Sequence, residues 1–160
     1  ISSELKHLAD VEKVLENYAQ AEDYYEESLA YSRRSGDRKS MVYTLDSLGG
    51  LALVQKDLSQ ARRYYFEALS IAQELELLPV VVDLLCGIAE LLAESAQTET
   101  ALELLAFAGQ HPAADRQTAA KAQGLLESLS AALPPELAAA AQARGRQQEL
   151  EQILARVPKP

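Results

Sequence analysis

The sequence predicts an all-α protein, a right-handed superhelix of stacked antiparallel helical hairpins closed by a C-terminal capping segment. Three observations predict it. Composition comes first: of 160 residues, 48% are apolar and 24% charged, and the strong helix formers Ala, Leu, Glu and Gln dominate. Seven Gly and six Pro are too few for a turn-dense sandwich or barrel. The second is internal repetition. Ala21-Glu22-Asp23-Tyr24-Tyr25 to Ala30 aligns with Ala61-Arg62-Arg63-Tyr64-Tyr65 to Ser70, and more weakly with Ala101 to Ala108, at a constant offset of 40 residues. A second series, Leu8-Ala9, Leu48-Gly49 and Ile88-Ala89, runs in phase ahead of it. The third is the alternation of small and bulky residues at i, i+4 and i+7, as in Ala21, Tyr25 and Ser28 or Ala61, Tyr65 and Ala68, which forms one interlocking helix face.

Periodicity and punctuation place the helices in order. The first two span about Ser3–Leu15 and Tyr18–Ser35, broken by Gly36-Asp37. The next two span about Lys39–Gln55 and Leu58–Leu75, with Asp57 as N-cap and Gln60 completing a capping box. Pro79 suits the first turn of a helix from Leu78 to about Ser95, and Thr98–Gly109 is the sixth. The hairpins are therefore expected at about 2–36, 38–76 and 79–110, within a repeat region 2–112. Beyond His111-Pro112 the pattern changes. One long helix is expected at Ala114–Leu133, then an Ala-rich helix from Pro135 to about Ala143 with Gly145 as its stop, then a short helix at Gln148–Arg156. A stack needs an atypical end unit over its apolar face, so 113–157 reads as a cap and 158–160 as a tail.

Packing follows from the same alignment. Ala9, Gly49 and Ala89 let one helix approach its neighbour, and Ala21, Ala61 and Ala101 do so from the facing helix. Tyr25 and Tyr65 fill the gap one turn later, with small residues again at Ala68 and Ala108, and Leu8, Leu48 and Ile88 complete the set.

These residues resemble the tetratricopeptide repeat family. The middle unit matches its pattern at Leu45, Leu48, Gly49, Ala61, Tyr65 and Ala68, and lacks the family's aromatic at Ala52 and its proline at Gln73. The first unit matches at Leu5, Leu8, Ala9, Ala21 and Tyr25, and the third at Leu85, Ile88, Ala89, Ala101 and Ala108. The period of 40 exceeds the family's usual length of about 34. The tail series Ala101-Leu102-Glu103-Leu104-Leu105, Leu133-Pro134-Pro135-Glu136 and Ala143-Arg144-Gly145-Arg146 is similar to the C-terminal end of bacterial signal-transduction ATPases of the STAND class. That resemblance implies the sensor region of a bacterial regulator, without its nucleotide switch. The single methionine, Met41, agrees with a piece of a longer chain that carries flanking domains.

Charge and motifs exclude several functions. Fifteen Lys and Arg against 24 Asp and Glu give −9, a field that repels nucleic acid and anionic membranes. No apolar run is long enough to span a bilayer, and a cytoplasmic location is expected. Cys86 is the only cysteine, and His7 and His111 have no metal-ligand spacing. No phosphate-binding glycine loop is present. The reading has no catalytic, cofactor or metal residues and no enzyme activity.

What remains is a surface. Family geometry, carried over by resemblance, assigns the concave groove to Lys6, Asp10 and Lys13, then Tyr43, Asp46, Gly50 and Leu53, then Asp83, Cys86, Glu90 and Glu94. Two lysines at one end, an aromatic and apolar middle and acidity at the other suit a protein or peptide ligand that is amphipathic or basic. Family members that capture a C-terminal carboxylate carry cations and amides where this chain has Asp10, Ser47, Asp83 and Gly87; only Lys6 fits. The expected function is thus a protein–protein interaction module, the sensor of a larger signalling ATPase. The alternative is a scaffold or self-association module without a dedicated ligand.

Overall fold

A residue in the left-handed conformation recurs every twenty positions: Glu16, Gly36, Lys56, Glu76 and Ala96, with φ between 54° and 72°. Each ends a helix. At Gly36 the backbone N–H reaches back to the Arg33 carbonyl while Asp37 N–H reaches Ser32, the paired reach-back of a Schellman turn. The same pair recurs at Glu16 and Asn17, at Lys56 and Asp57, and at Ala96 and Gln97. The 40-residue repeat is therefore two twenty-residue halves, each a helix and one such turn.

The structure, a computed structural model, describes residues 1–157; the expected tail at 158–160 lies outside the described residues. In chain order the helices are α1 (Ser2–Val14), α2 (Tyr18–Ser35), α3 (Arg38–Val54), α4 (Leu58–Glu74), α5 (Leu78–Glu94), α6 (Thr98–Gln110), α7 (Arg116–Ser130), α8 (Pro135–Arg146) and α9 (Leu150–Arg156). No strand occurs among the described residues. The helices form two compact units, 1–76 and the remainder from Leu77.

In the first unit α1 pairs with α2, α3 pairs with α4, and α2 packs on α3 to stack the two hairpins. Asp37 caps α3 by accepting from Ser40 N–H at 3.0 Å, and Asp57 caps α4 by accepting from Gln60 N–H at 2.9 Å. Only half of the expected box forms at Asp57, since the Gln60 side chain accepts from Arg63 instead. Ala9, Ala21, Ala61 and Ala68 are fully buried, and Tyr25, Leu48 and Tyr65 nearly so. A Cβ on Gly49 would fall 2.8 Å from the Tyr65 ring, so the missing side chain is what admits that ring. Leu8 differs from Leu48 and Ile88: they are buried, whereas Leu8 is 50% exposed, because among the described residues no helix covers that side of α1 as α2 covers α3.

The second unit is organised around α6, which contacts α5, α7, α8 and α9. Eight consecutive residues, Ala101 to Ala108, are buried, so this helix is covered all round. Ile88, Ala89, Ala101 and Ala108 are among its core residues. The long helix expected at Ala114–Leu133 is shorter at both ends. Asp115 accepts from Thr118 N–H at 2.7 Å and starts α7 at Arg116, while turns at Ala132 and Leu133 precede Pro134. Gly145 is not the stop of α8 but lies inside it. A Cβ there would collide with the Glu103 backbone carbonyl, so this glycine sets how closely α8 approaches α6. The last helix begins at Leu150 instead of Gln148, with Glu149 and Gln152 forming a capping box.

Candidate peptide-binding face

The first helices of the two hairpins in the first unit, α1 and α3, hold most of the residues expected in the groove. Lys6 and Asp10 are one turn apart, and the Lys6 ammonium meets Asp10 Oδ2 at 2.9 Å. Tyr25 reaches across from α2, its hydroxyl donating to Asp10 Oδ1 at 2.6 Å. Burial, followed by the bond to the Asp10 carboxylate, pushes the Tyr25 phenol well above the ordinary tyrosine range. Asp10 is thus a fixed acceptor held between an ammonium and a neutral phenol. Lys13 lies further along α1, its Nζ 3.2 Å from where a Gly50 Cβ would sit, so a side chain at residue 50 would crowd the ammonium.

On α3, Tyr43 is 39% exposed and Asp46 half-buried, whereas Leu53 is buried at 8% exposure. Leu53 therefore serves the core and offers no groove surface. In the second unit Asp83 is half-buried and accepts from the Thr118 hydroxyl at 3.2 Å, so a helix of the C-terminal segment engages it. Cys86 is fully buried, placing its thiol in the core and not in the groove. Glu90 is half-buried.

Lys6 and Tyr43 are brought together. They line one cavity of about 270 Å³ between α1 and α3, with Ser2, Ser3, His7, Ser40 and Thr44. None of these serines and threonines was singled out in the groove expected from sequence. Its floor is a buried hydroxyl cluster: Ser2 Oγ lies 2.6 Å from Ser32 Oγ and 3.1 Å from Ser28 Oγ, and Ser28 Oγ lies 3.2 Å from Thr44 Oγ1. Comparison of the copies held the signal. The positions of Ser2, Ser28 and Ser32 are occupied by Val42, Ala68 and Ala72 one repeat later, and Thr44 by Leu84.

Among the described residues no group of three or more His, Cys, Asp or Glu is arranged to hold a metal ion. No described helix is long and apolar enough to cross a membrane.

Hairpins of this kind, with small residues nested against Tyr25 and Tyr65, define a helical-repeat protein. Residues 2–74 match the family model of the tetratricopeptide repeat, a class that generally mediates protein–protein interaction and is typically non-catalytic. Among solved structures the chain is similar to BtubC (BKLC) from P. vanneervenii, with 18% identity and a TM-score of 0.71. The likeness covers 99% of this chain and 66% of that one, so the chain spans just under two thirds of its neighbour's length. At that identity the likeness shows the fold. No curated protein sequence matches the chain significantly.

Proposed function

We propose that the chain is an interaction module that takes an amphipathic peptide on the α1/α3 face of its first unit. The observation that carries this reading is Tyr43, held 39% exposed beside a cavity that Lys6 also lines. The chain has only seven Tyr and two Phe, and an exposed aromatic next to a concavity is what an apolar peptide side chain needs as an anchor. Lys6 beside it, and Asp10, Lys13 and Asp46 further along α1 and α3, give this face both signs of charge, which favours an amphipathic ligand. Asp83 and Glu90 of the second unit favour basic residues in a partner that reaches them.

We place the module, on the tail resemblance, as the sensor of a larger bacterial signalling ATPase acting in the cytoplasm. Reading the gene upstream of Ile1 tests this. An ATPase module supports it, and a chaperone or secretion module overturns it.

Panning a displayed peptide library against the whole chain tests the binding face. Selected peptides are expected to lose binding to Tyr43→Ala and Asp46→Lys variants whose helicity and melting are unchanged. Selected peptides indifferent to both substitutions overturn the reading.

A second reading, self-association, is favoured by one observation. Ile1, Leu8, Val11, Val14 and Leu15 of the first hairpin are each at least half exposed, an apolar stripe of the kind that pairs. Sedimentation at several concentrations tests it: a concentration-dependent dimer supports this reading, and a constant monomer excludes it.

A further inference from the structure

We propose that the cavity between α1 and α3 receives the side-chain carboxylate of a partner's Asp or Glu. The inference rests on the peptide-binding reading and adds the chemistry of one anchor residue. The cavity is lined by Ser3, Lys6, His7, Ser40, Tyr43 and Thr44, with Ser2 in its floor, and by no carboxylate. In a chain of net charge −9 that is a local exception. Of two other cavities of the first unit, one carries Glu12, Glu16 and Asp23 with no cation, and the other balances Glu26 and Glu67 with Arg33 and Arg63.

The donors can be sorted. The Ser40 hydroxyl is engaged with Asp37 and the Thr44 hydroxyl with Ser28. Lys6 gives one N–H to Asp10, and an ammonium has three. Two N–H groups of Lys6, the Ser3 hydroxyl and the Tyr43 hydroxyl therefore remain for a ligand, with the His7 ring, which also interacts with Glu4. That is a set of donors around one cation, the complement of an acceptor-only carboxylate.

The same inventory selects among anions. A phosphorylated side chain carries close to two negative charges and pairs best with arginine. This lining has no arginine, and its one lysine is already partly neutralised by Asp10. A singly charged carboxylate fits that balance. The chemistry is that of a side chain within the peptide and not of a chain end, since the two further cations expected of a C-terminal clamp are replaced by Asp83 and Gly87.

The experiment is an NMR titration of the whole isotope-labelled chain with three probes: N-acetyl-glutamate methylamide, its glutamine counterpart, and inorganic phosphate. The glutamate probe is expected to give saturable shifts at the amides of Ser3, Lys6, His7, Ser40, Tyr43 and Thr44. The glutamine probe is expected to bind about tenfold more weakly, the loss of a charge-assisted hydrogen bond. Lys6→Gln is expected to abolish the difference between the two probes, and Lys6→Arg to retain it, with the remaining spectrum reporting that both variants are folded. Equal binding of the two amino-acid probes, shifts elsewhere, or indifference to Lys6→Gln overturns the proposal. Tighter binding of phosphate than of the glutamate probe overturns the choice of carboxylate. The peptide-binding reading fails separately. Library peptides that bind this face without any Asp or Glu refute the anchor and leave that reading intact, whereas a bound glutamate probe with no selectable peptide does the reverse.

Discussion

Arg144 of α8 donates through Nε to the Glu103 carboxylate of α6 at 2.6 Å, and only 3% of that carboxylate side chain is exposed. Arg156 of α9 approaches the other oxygen at 3.3 Å. A single buried acid thus ties two C-terminal helices to the central helix of the second unit. Glu99 also meets Arg144, at 3.1 Å, but on the surface, where such pairs contribute little.

Removing one side of this clamp is expected to cost more than removing the buried charge itself. Arg144→Met leaves Glu103 under-compensated and is expected to destabilise by about 2–3 kcal/mol, whereas Glu103→Leu frees two solvent-exposed arginines and is expected to cost under about 1 kcal/mol. In the double variant the penalty of Arg144→Met should vanish. Urea unfolding of the four proteins measures the coupling; additive losses would refute it.

The left-handed turns offer a second measurement. Lys56→Gly and Ala96→Gly each relieve a side chain at positive φ and are expected to stabilise by about 1 kcal/mol. Gly36→Ala, where a Cβ would meet no atom within 4 Å, is expected to destabilise by about the same amount through the backbone alone. Melting temperatures that move the other way would show that these turns are not set by local conformation.

Two glycines test close approach. Alanine at Gly49 pushes on the Tyr65 ring, and alanine at Gly145 pushes on the backbone of Glu103. Overpacking of this sort costs about 1–3 kcal/mol, and Gly145→Ala is expected to be the worse, because a helix backbone yields less than a ring. Equal denaturation midpoints for the wild type and Gly145→Ala would contradict the packing of α8 on α6.

Acid should loosen two helix starts. Bonds from the Ser40 and Thr118 backbone N–H groups hold the Asp37 and Asp115 carboxyls below the usual aspartate range. Each therefore binds its proton more weakly in the folded chain than in the unfolded one. The stability it supplies is complete above the ordinary aspartate value and is lost as pH falls through the lower, folded value. Asp37→Asn keeps an acceptor for the cap and should flatten that part of the stability–pH curve. Chemical denaturation between pH 2 and 5 (about the range in which aspartates titrate) checks it, and an unchanged slope would count against the cap.

Repetition made the helices readable, since Ala21, Ala61 and Ala101 keep one phase and their neighbours follow the same small–large rule. The turns were readable only at Gly36. Glu16, Lys56, Glu76 and Ala96 have no intrinsic preference for the left-handed region; the completed Schellman bonds hold Glu16, Lys56 and Ala96 there, and the reach-back to the Gln73 carbonyl holds Glu76. Gly145 was misread because a glycine near a helix end signals a stop as readily as it signals contact. In the candidate site, Lys6, Asp10 and Tyr43 were visible from register with the family. Leu53 and Cys86 share the groove register yet are buried, because helix rotation decides between surface and core. Ser40 and Thr44 lie one turn apart on α3, and Ser2 and Thr44 stand where the next repeat has Val42 and Leu84, but which lining these hydroxyls share is set by the packing of α1 on α3.

The twenty-residue spacing of reversals acts as a ruler for growth. Each reversal is closed by bonds spanning no more than five residues, so a hairpin can mature as it leaves the ribosome without waiting for distant sequence. Duplicating one 40-residue block restores every donor and acceptor to its old phase, while gaining or losing half a block exchanges the inner and outer helices. Length in such an architecture is inherited in whole blocks.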